Sequence, residues 1–261
     1  MITLVNTLVV AETFLAFIIA VTLHEAAHVA MAGLLGDGAS WSAGRLSLNP
    51  RRHLAAIGTI VAMTLSFGIP LGWQPVGLGW GKPVEVDTRR MRVGPDVGVF
   101  LVALAGPVFS LAMGFLFAVI LRFMPGYQTL ALFSDRCAGA GSILQTCLSH
   151  AQPVWQLRLE QFIFLLAVTN VLLALVNLIP LHPLDGYGML FALLPNGPAV
   201  RYRDFKPYME ATLLAIFFLI PYLLGIIGLG QLNPGFLLSN LAQMVTGSIA
   251  GPTYLQFIYA L

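Results

Sequence analysis

LVNTLVVAETFLAFIIAVTLHEAAHVAMAGLLG, residues 4–36, is apolar for longer than the roughly 20 residues that cross a bilayer, yet it carries His24, Glu25 and His28. Ionisable groups at membrane depth are costly, so each is a functional candidate by default. His24 and His28 are four residues apart and share one helical face, one turn apart. Two imidazoles so placed can hold one zinc ion. Glu25, beside the first of them, is placed to act as a general base on water. A metal-free polar lining of a proton or ion path is the competing reading of the same residues. Glu12, more than three turns before His24, belongs near the opposite membrane surface and receives no role.

Composition agrees with a membrane solvent. The 261 residues are 58% hydrophobic and only 9% charged, and the mean hydropathy is +0.86. A soluble domain needs far more charge to cover its surface. The net charge of +2 carries no nucleic-acid signal. Soluble enzymes, disordered chains and free nucleic-acid binders are therefore excluded. No basic n-region precedes the first apolar run, whose first basic residue is Arg45, so that run reads as a real span. Cys137 and Cys147 share one polar loop; a disulfide and two free thiols both remain open.

Working outward, clear spans follow at Val97–Leu121, Leu159–Ile179 and Tyr208–Gly228, and Pro234–Leu261 reads as a last helix. Leu54–Trp73 is apolar but broken by Gly58, Gly68, Pro70 and Gly72. Residues 195–207 read as a polar loop. The expected architecture is an all-α polytopic membrane protein, a single domain over 1–261. It has about five to six transmembrane helices, one re-entrant or partly inserted segment and short extended loop pieces. Its core is 4–190, with accessory helices over 208–261.

Asp185, in LHPLDGYG (residues 181–188), is the best candidate for the third ligand that a catalytic zinc requires. It follows a proline-broken helix end, where irregular backbone at membrane depth lines a cavity. Gly186 permits a tight turn there. His53 and His150 sit in polar loops and read as solvated. His182 is a possible ligand or a supporting neighbour of the site, with an ordinary loop histidine as the competing reading. Topology tests the set. If Leu54–Trp73 crosses fully, the helices of His24 and Asp185 run antiparallel and the metal site cannot close. If it dips and returns, they run parallel. The dip also places ten Lys/Arg on one side against three on the other, whereas a full crossing gives six against seven. The positive-inside rule then puts the site nearer the cytoplasmic face.

These residues resemble the site-2 proteases, a family of intramembrane zinc metalloproteases. HEAAH (24–28) matches the family's HExxH on a membrane helix, and NLIPLHPLDG (177–186) matches its N-x-x-P-x-x-P-L-D-G. GRLSLNP (44–50), GWGKPVEVD (79–87) and ALAGPVFS (103–110) look like the compact subgroup without a PDZ domain. The resemblance implies zinc held by His24, His28 and Asp185, with Glu25 as general base. It also implies substrate contacts from Asn177 and, two turns earlier on the same helix face, from Asn170. For both asparagines, ordinary helix–helix hydrogen bonding stays open. Two departures stand out: His182 where the family often has proline, and Ser110 where asparagine often follows Gly-Pro. Gly106 and Pro107 read as packing residues.

The implied activity is endoproteolysis within or near the transmembrane segment of single-span proteins, for regulated release or removal of signal-peptide remnants. The implied setting is the lipid bilayer of a prokaryotic cell (inner) membrane. GKPVEVD (81–87) could pair with an unwound substrate as an added strand, or be an ordinary loop. The alternative function is a non-proteolytic metal-binding membrane protein in transport or scaffolding. The intact Glu25 speaks against it, since a storage or transport site has no need of a base beside its ligand.

Overall fold

The protein is described by a computed structural model over residues 4–38, 49–60, 86–124 and 154–251, with Ser47 and Gly81 as isolated positions. Seven helices organise these residues: α1 (Leu4–Leu35), α2 (Pro95–Arg122), α3 (Val154–Asn177), α4 (Asp185–Leu193), α5 (Asn196–Asp204), α6 (Lys206–Ile226) and α7 (Pro234–Ala250). No β-strand occurs among the described residues; extended pairing there is one isolated antiparallel bridge, Leu54 to Gly81. The all-helical class is as expected. Four helices are long and apolar enough to cross a membrane, in α1, α2, α3 and α6. The last helix, α7, has 17 described residues.

α3 is the central helix, packing against α1, α2 and α7. Phe164, Leu172, Leu121, Leu213 and Phe217 form the main apolar cluster, and Phe17, Ala20, Val21 and Leu173 form a second one between α1 and α3. α6 keeps most of its surface exposed, as suits a lipid-facing helix. Its middle, Ala215–Leu219, widens into a π turn. Pro221 explains why: it has no N–H, and its ring crowds the carbonyl four residues back, so a wider turn relieves both.

Lipid tails give helices no hydrophobic reason to associate, so close backbone approach through small residues matters more here. α2 supplies it. Gly98, Val102, Gly106, Ser110, Gly114 and Ala118 recur at every fourth position and are all buried. Four residues turn a 3.6-residue helix slightly past one revolution, so this ridge drifts about 40° per step. It meets Met91 at Gly98, the α1 histidines at Gly106, and Val171 and the Ala167 carbonyl of α3 at Gly114. One helix thereby packs on two neighbours in turn.

The connection between α1 and α2 begins and ends on one side. The Arg92 N–H donates to the Leu35 carbonyl (2.9 Å), and the Asp87 N–H donates to the Asp37 carboxylate (2.8 Å). A single full crossing between the two helices is thus excluded, as the dip requires. The dip itself falls mostly on residues 61–80, outside the described residues, as do most of GKPVEVD, His150, Cys137, Cys147 and residues 252–261.

Two local expectations are corrected. Residues 196–204 form helix α5, not a loop. Pro198 lies in its first turn, where a missing N–H costs nothing, and Arg201 and Arg203 occupy its last turn, where cations suit the helix dipole. His53 is buried, not solvated, with its Nε2 against the Ser47 carbonyl.

A side chain at Gly114 would collide with Val171, since an added Cβ would lie 2.6 Å from its Cγ2. Gly114→Val should therefore push α2 off α3 and lower stability by about 1–3 kcal/mol. A fall in the thermal unfolding midpoint in detergent would show this; an unchanged midpoint would mean that the two helices separate freely.

Candidate metal centre

His24 and His28 project from the last third of α1, with ring centroids 4.8 Å apart and planes nearly perpendicular. Asp185 reaches them from the far end of the sequence. Its Oδ2 lies 2.8 Å from His24 Nε2 and its Oδ1 lies 3.2 Å from His28 Nε2. Helix α3 ends at Asn177, the chain turns through Pro180 and Pro183, and Asp185 opens α4. Asp185 is therefore the first residue of a new helix, after the proline-broken end of α3. Gly186 serves close approach: an added Cβ would sit 2.5 Å from the carbonyl oxygens of Leu178 and Ile179. It has no positive φ, so the turn itself does not demand glycine.

Two imidazole nitrogens and a carboxylate converging this closely is a donor set suited to zinc. Ligands about 2.0–2.1 Å from a tetrahedral zinc sit roughly 3.3 Å apart, close to the spacing seen. Three observations fit a metal. His28 Nε2 is buried with no hydrogen-bond partner, a costly state that a ligand bond would relieve. His28 Nδ1 faces the Val102 carbonyl (2.7 Å), which makes Nδ1 the protonated nitrogen and leaves Nε2 its lone pair. An added Cβ on Gly106 would clash with the Nε2 atoms of both histidines, so its absence leaves the space between them open.

Glu25 is buried, and its carboxylate lies within 4.8 Å of the histidine donor atoms. Gly81 packs against that carboxylate, bringing the start of the 81–87 segment to the site. A cavity of about 260 Å³ opens beside it, lined among others by Glu25, His28, Asn177, His182, Asp185 and Tyr187.

The other expected site residues divide. Asn177 reaches the cavity while its Nδ2 donates to the Leu173 carbonyl of its own helix (2.9 Å). Asn170 is fully buried, donates to the Leu166 carbonyl (2.8 Å) and does not line the cavity. His182 is not among the converging donors; its Nδ1 lies 3.1 Å from Glu210 Oε1 on α6. Burial pushes the His182 ring toward its neutral form, and Lys206 adds to that against the opposing pull of Glu210. Glu12 lies outside this cluster, as expected.

Sequence reasoning missed several residues here. Gly106 was legible only as a packing glycine, although Gly-Pro in a helix that must approach two histidines was the available signal. Tyr187 stacks on Tyr202 and Phe191 at the cavity, within the very motif that carries Asp185. Glu210 and the Val102 carbonyl left no signal, because neither lies near a motif. Gly106→Ala should abolish stoichiometric zinc binding yet keep α2, since alanine favours a helix over glycine by about 1 kcal/mol. Metal analysis of the purified variant checks this; retained zinc would remove Gly106 from the site.

Comparison with known proteins agrees with this geometry. The sequence profile of peptidase family M50 matches residues 56–221, more than half of the chain, a stretch that holds Asp185 and begins after His28. YwhC of Bacillus subtilis (strain 168), named provisionally as a zinc metalloprotease, is 32% identical over 202 residues, covering 77% of each chain. No solved structure matches. With a profile match of this extent and a relative of this identity, the chain belongs to peptidase family M50 and is a zinc metalloprotease.

Proposed function

We propose that the protein is an intramembrane endopeptidase acting on single-span membrane proteins. His24, His28 and Asp185 hold the zinc, and Glu25 is the general base. The observation that carries the reading is the convergence of two buried imidazoles, the half-buried Asp185 carboxylate and the buried Glu25 carboxylate in one cluster beside the cavity, built by helices long and apolar enough to span a bilayer. The provisional name of YwhC, which is that of a zinc metalloprotease, supports the same metal.

Zinc supplies a Lewis acid that acidifies water to a pKa of about 7 and polarises a carbonyl. The chain's own groups do the rest. Glu25 accepts the proton of the attacking water and passes it to the leaving amine. Asn177, at the cavity wall, donates to the substrate backbone or to the oxyanion as it develops; Asn170 supports α3 from behind. The cavity is too small for an intact helix about 10 Å across. A transmembrane substrate must therefore unwind locally and enter extended. Glu25 lies in the last third of α1 and Asp185 follows the end of α3, toward the side to which the Lys/Arg asymmetry assigns the cytoplasm.

Purified wild type and Glu25→Gln, incubated in detergent with a panel of single-span proteins, test the reaction. Wild type should cleave, and a zinc chelator should stop it. Glu25→Gln should lose about 10²- to 10⁴-fold in rate while keeping its zinc. Zinc bound by both without cleavage of any substrate would favour a non-proteolytic metal protein instead. Orientation has its own check. In a chain with Cys137 and Cys147 replaced by serine, Arg201→Cys, at an exposed position, should react with a membrane-impermeant thiol reagent only after the cells are permeabilised. Labelling of intact cells would reverse the assigned orientation.

A further inference from the structure

Val102, Gly106 and Ser110 stand one turn apart on the ridge of α2, and each addresses the histidine pair of α1. The Val102 carbonyl faces His28 Nδ1, the missing side chain of Gly106 leaves room at both Nε2 atoms, and Ser110 Oγ lies 2.9 Å from His24 Nδ1. The order runs backwards along α1, as two antiparallel helices require. Ser110 is fully buried and His24 nearly so, so water does not compete for this contact.

An imidazole that binds a metal through one nitrogen is steered by what its other nitrogen meets. His24 Nε2 faces Asp185 and the metal space. Nδ1 must then carry the proton, and it needs an acceptor. The Ser110 hydroxyl can provide one with a lone pair while its own hydrogen turns elsewhere.

We propose that Ser110 is a positioning residue of the metal centre: its hydroxyl holds His24 as the Nδ1–H tautomer, with ring and Nε2 aimed at the zinc. The inference rests on the metal-centre reading above. It gives chemical content to a position that the sequence marks only as a departure from the asparagine often found there. Asparagine and serine share what is needed, an acceptor oxygen at the right distance from one helix face.

The test uses full-length wild type, Ser110→Ala and Ser110→Thr in detergent. Zinc affinity is measured by competition with a chromophoric chelator, the ligand field by the absorption spectrum after cobalt substitution, and folding by the unfolding midpoint of the metal-free protein. Loss of a supporting hydrogen bond to a metal-binding histidine weakens affinity by about 10- to 100-fold. The alanine variant should lose about tenfold or more. Its cobalt spectrum should shift, and its metal-free midpoint should stay near wild type. The threonine variant, which keeps the hydroxyl, should bind zinc close to wild type. Equal affinity of wild type and Ser110→Ala would overturn the proposal and leave the metal centre standing. Equal losses in both variants, or a loss that tracks a lower metal-free midpoint, would assign Ser110 to packing and overturn it too. A wild type that binds no zinc would remove the metal centre itself.

Discussion

Two buried imidazoles and a half-buried carboxylate brought together in an apolar helix bundle must satisfy one another or be satisfied by a metal. Isolated, a buried carboxylate or imidazolium would cost several kcal/mol. Asp185, placed between the Nε2 atoms of His24 and His28, removes that cost only if α1, α2 and the start of α4 approach within side-chain reach. The ridge of α2 makes the approach possible. Gly106 lets the helix come up to the histidines, and Gly114 then lets it come up to α3. The packing of the bundle and the geometry of the site thus depend on the same row of small residues.

The cavity beside Glu25 is lined by both polar and apolar groups. Its walls come from α1, from the turn between α3 and α4, and from Gly81, which the Leu54 bridge ties to the end of the loop after α1. Asp37 accepts the Asp87 N–H, so the far end of the 81–87 segment is anchored to the end of α1.

Helices α5 and α6 act on the site from outside. Tyr202 of α5 donates to the Pro180 carbonyl and stacks on Tyr187, while Glu210 of α6 approaches His182, whose N–H contacts Met209. These contacts grip both ends of the turn that carries Asp185. The turn has few hydrogen bonds of its own to hold it, with two prolines in seven residues, so its position depends on these neighbours.

The helical spacing of His24 and His28, the adjacent Glu25 and the proline-broken approach to Asp185 were legible in the sequence, because each is a short-range pattern with one chemical reading. That the connection between α1 and α2 returns to the side it left was legible as well, through the distribution of arginine and lysine. The histidine environments were not. His53 looked solvated in an arginine-rich loop and is buried, and α5 looked like a loop, because local polarity does not report which neighbours arrive later. Ser110, Glu210 and the Val102 carbonyl lie from 28 to 86 residues away from the groups they serve. By itself the sequence determined that the chain lives in a membrane and carries a zinc-type donor set with a base. Only the tertiary structure decided which nitrogen of each histidine faces the metal, because that choice is made by hydrogen-bond acceptors on another helix.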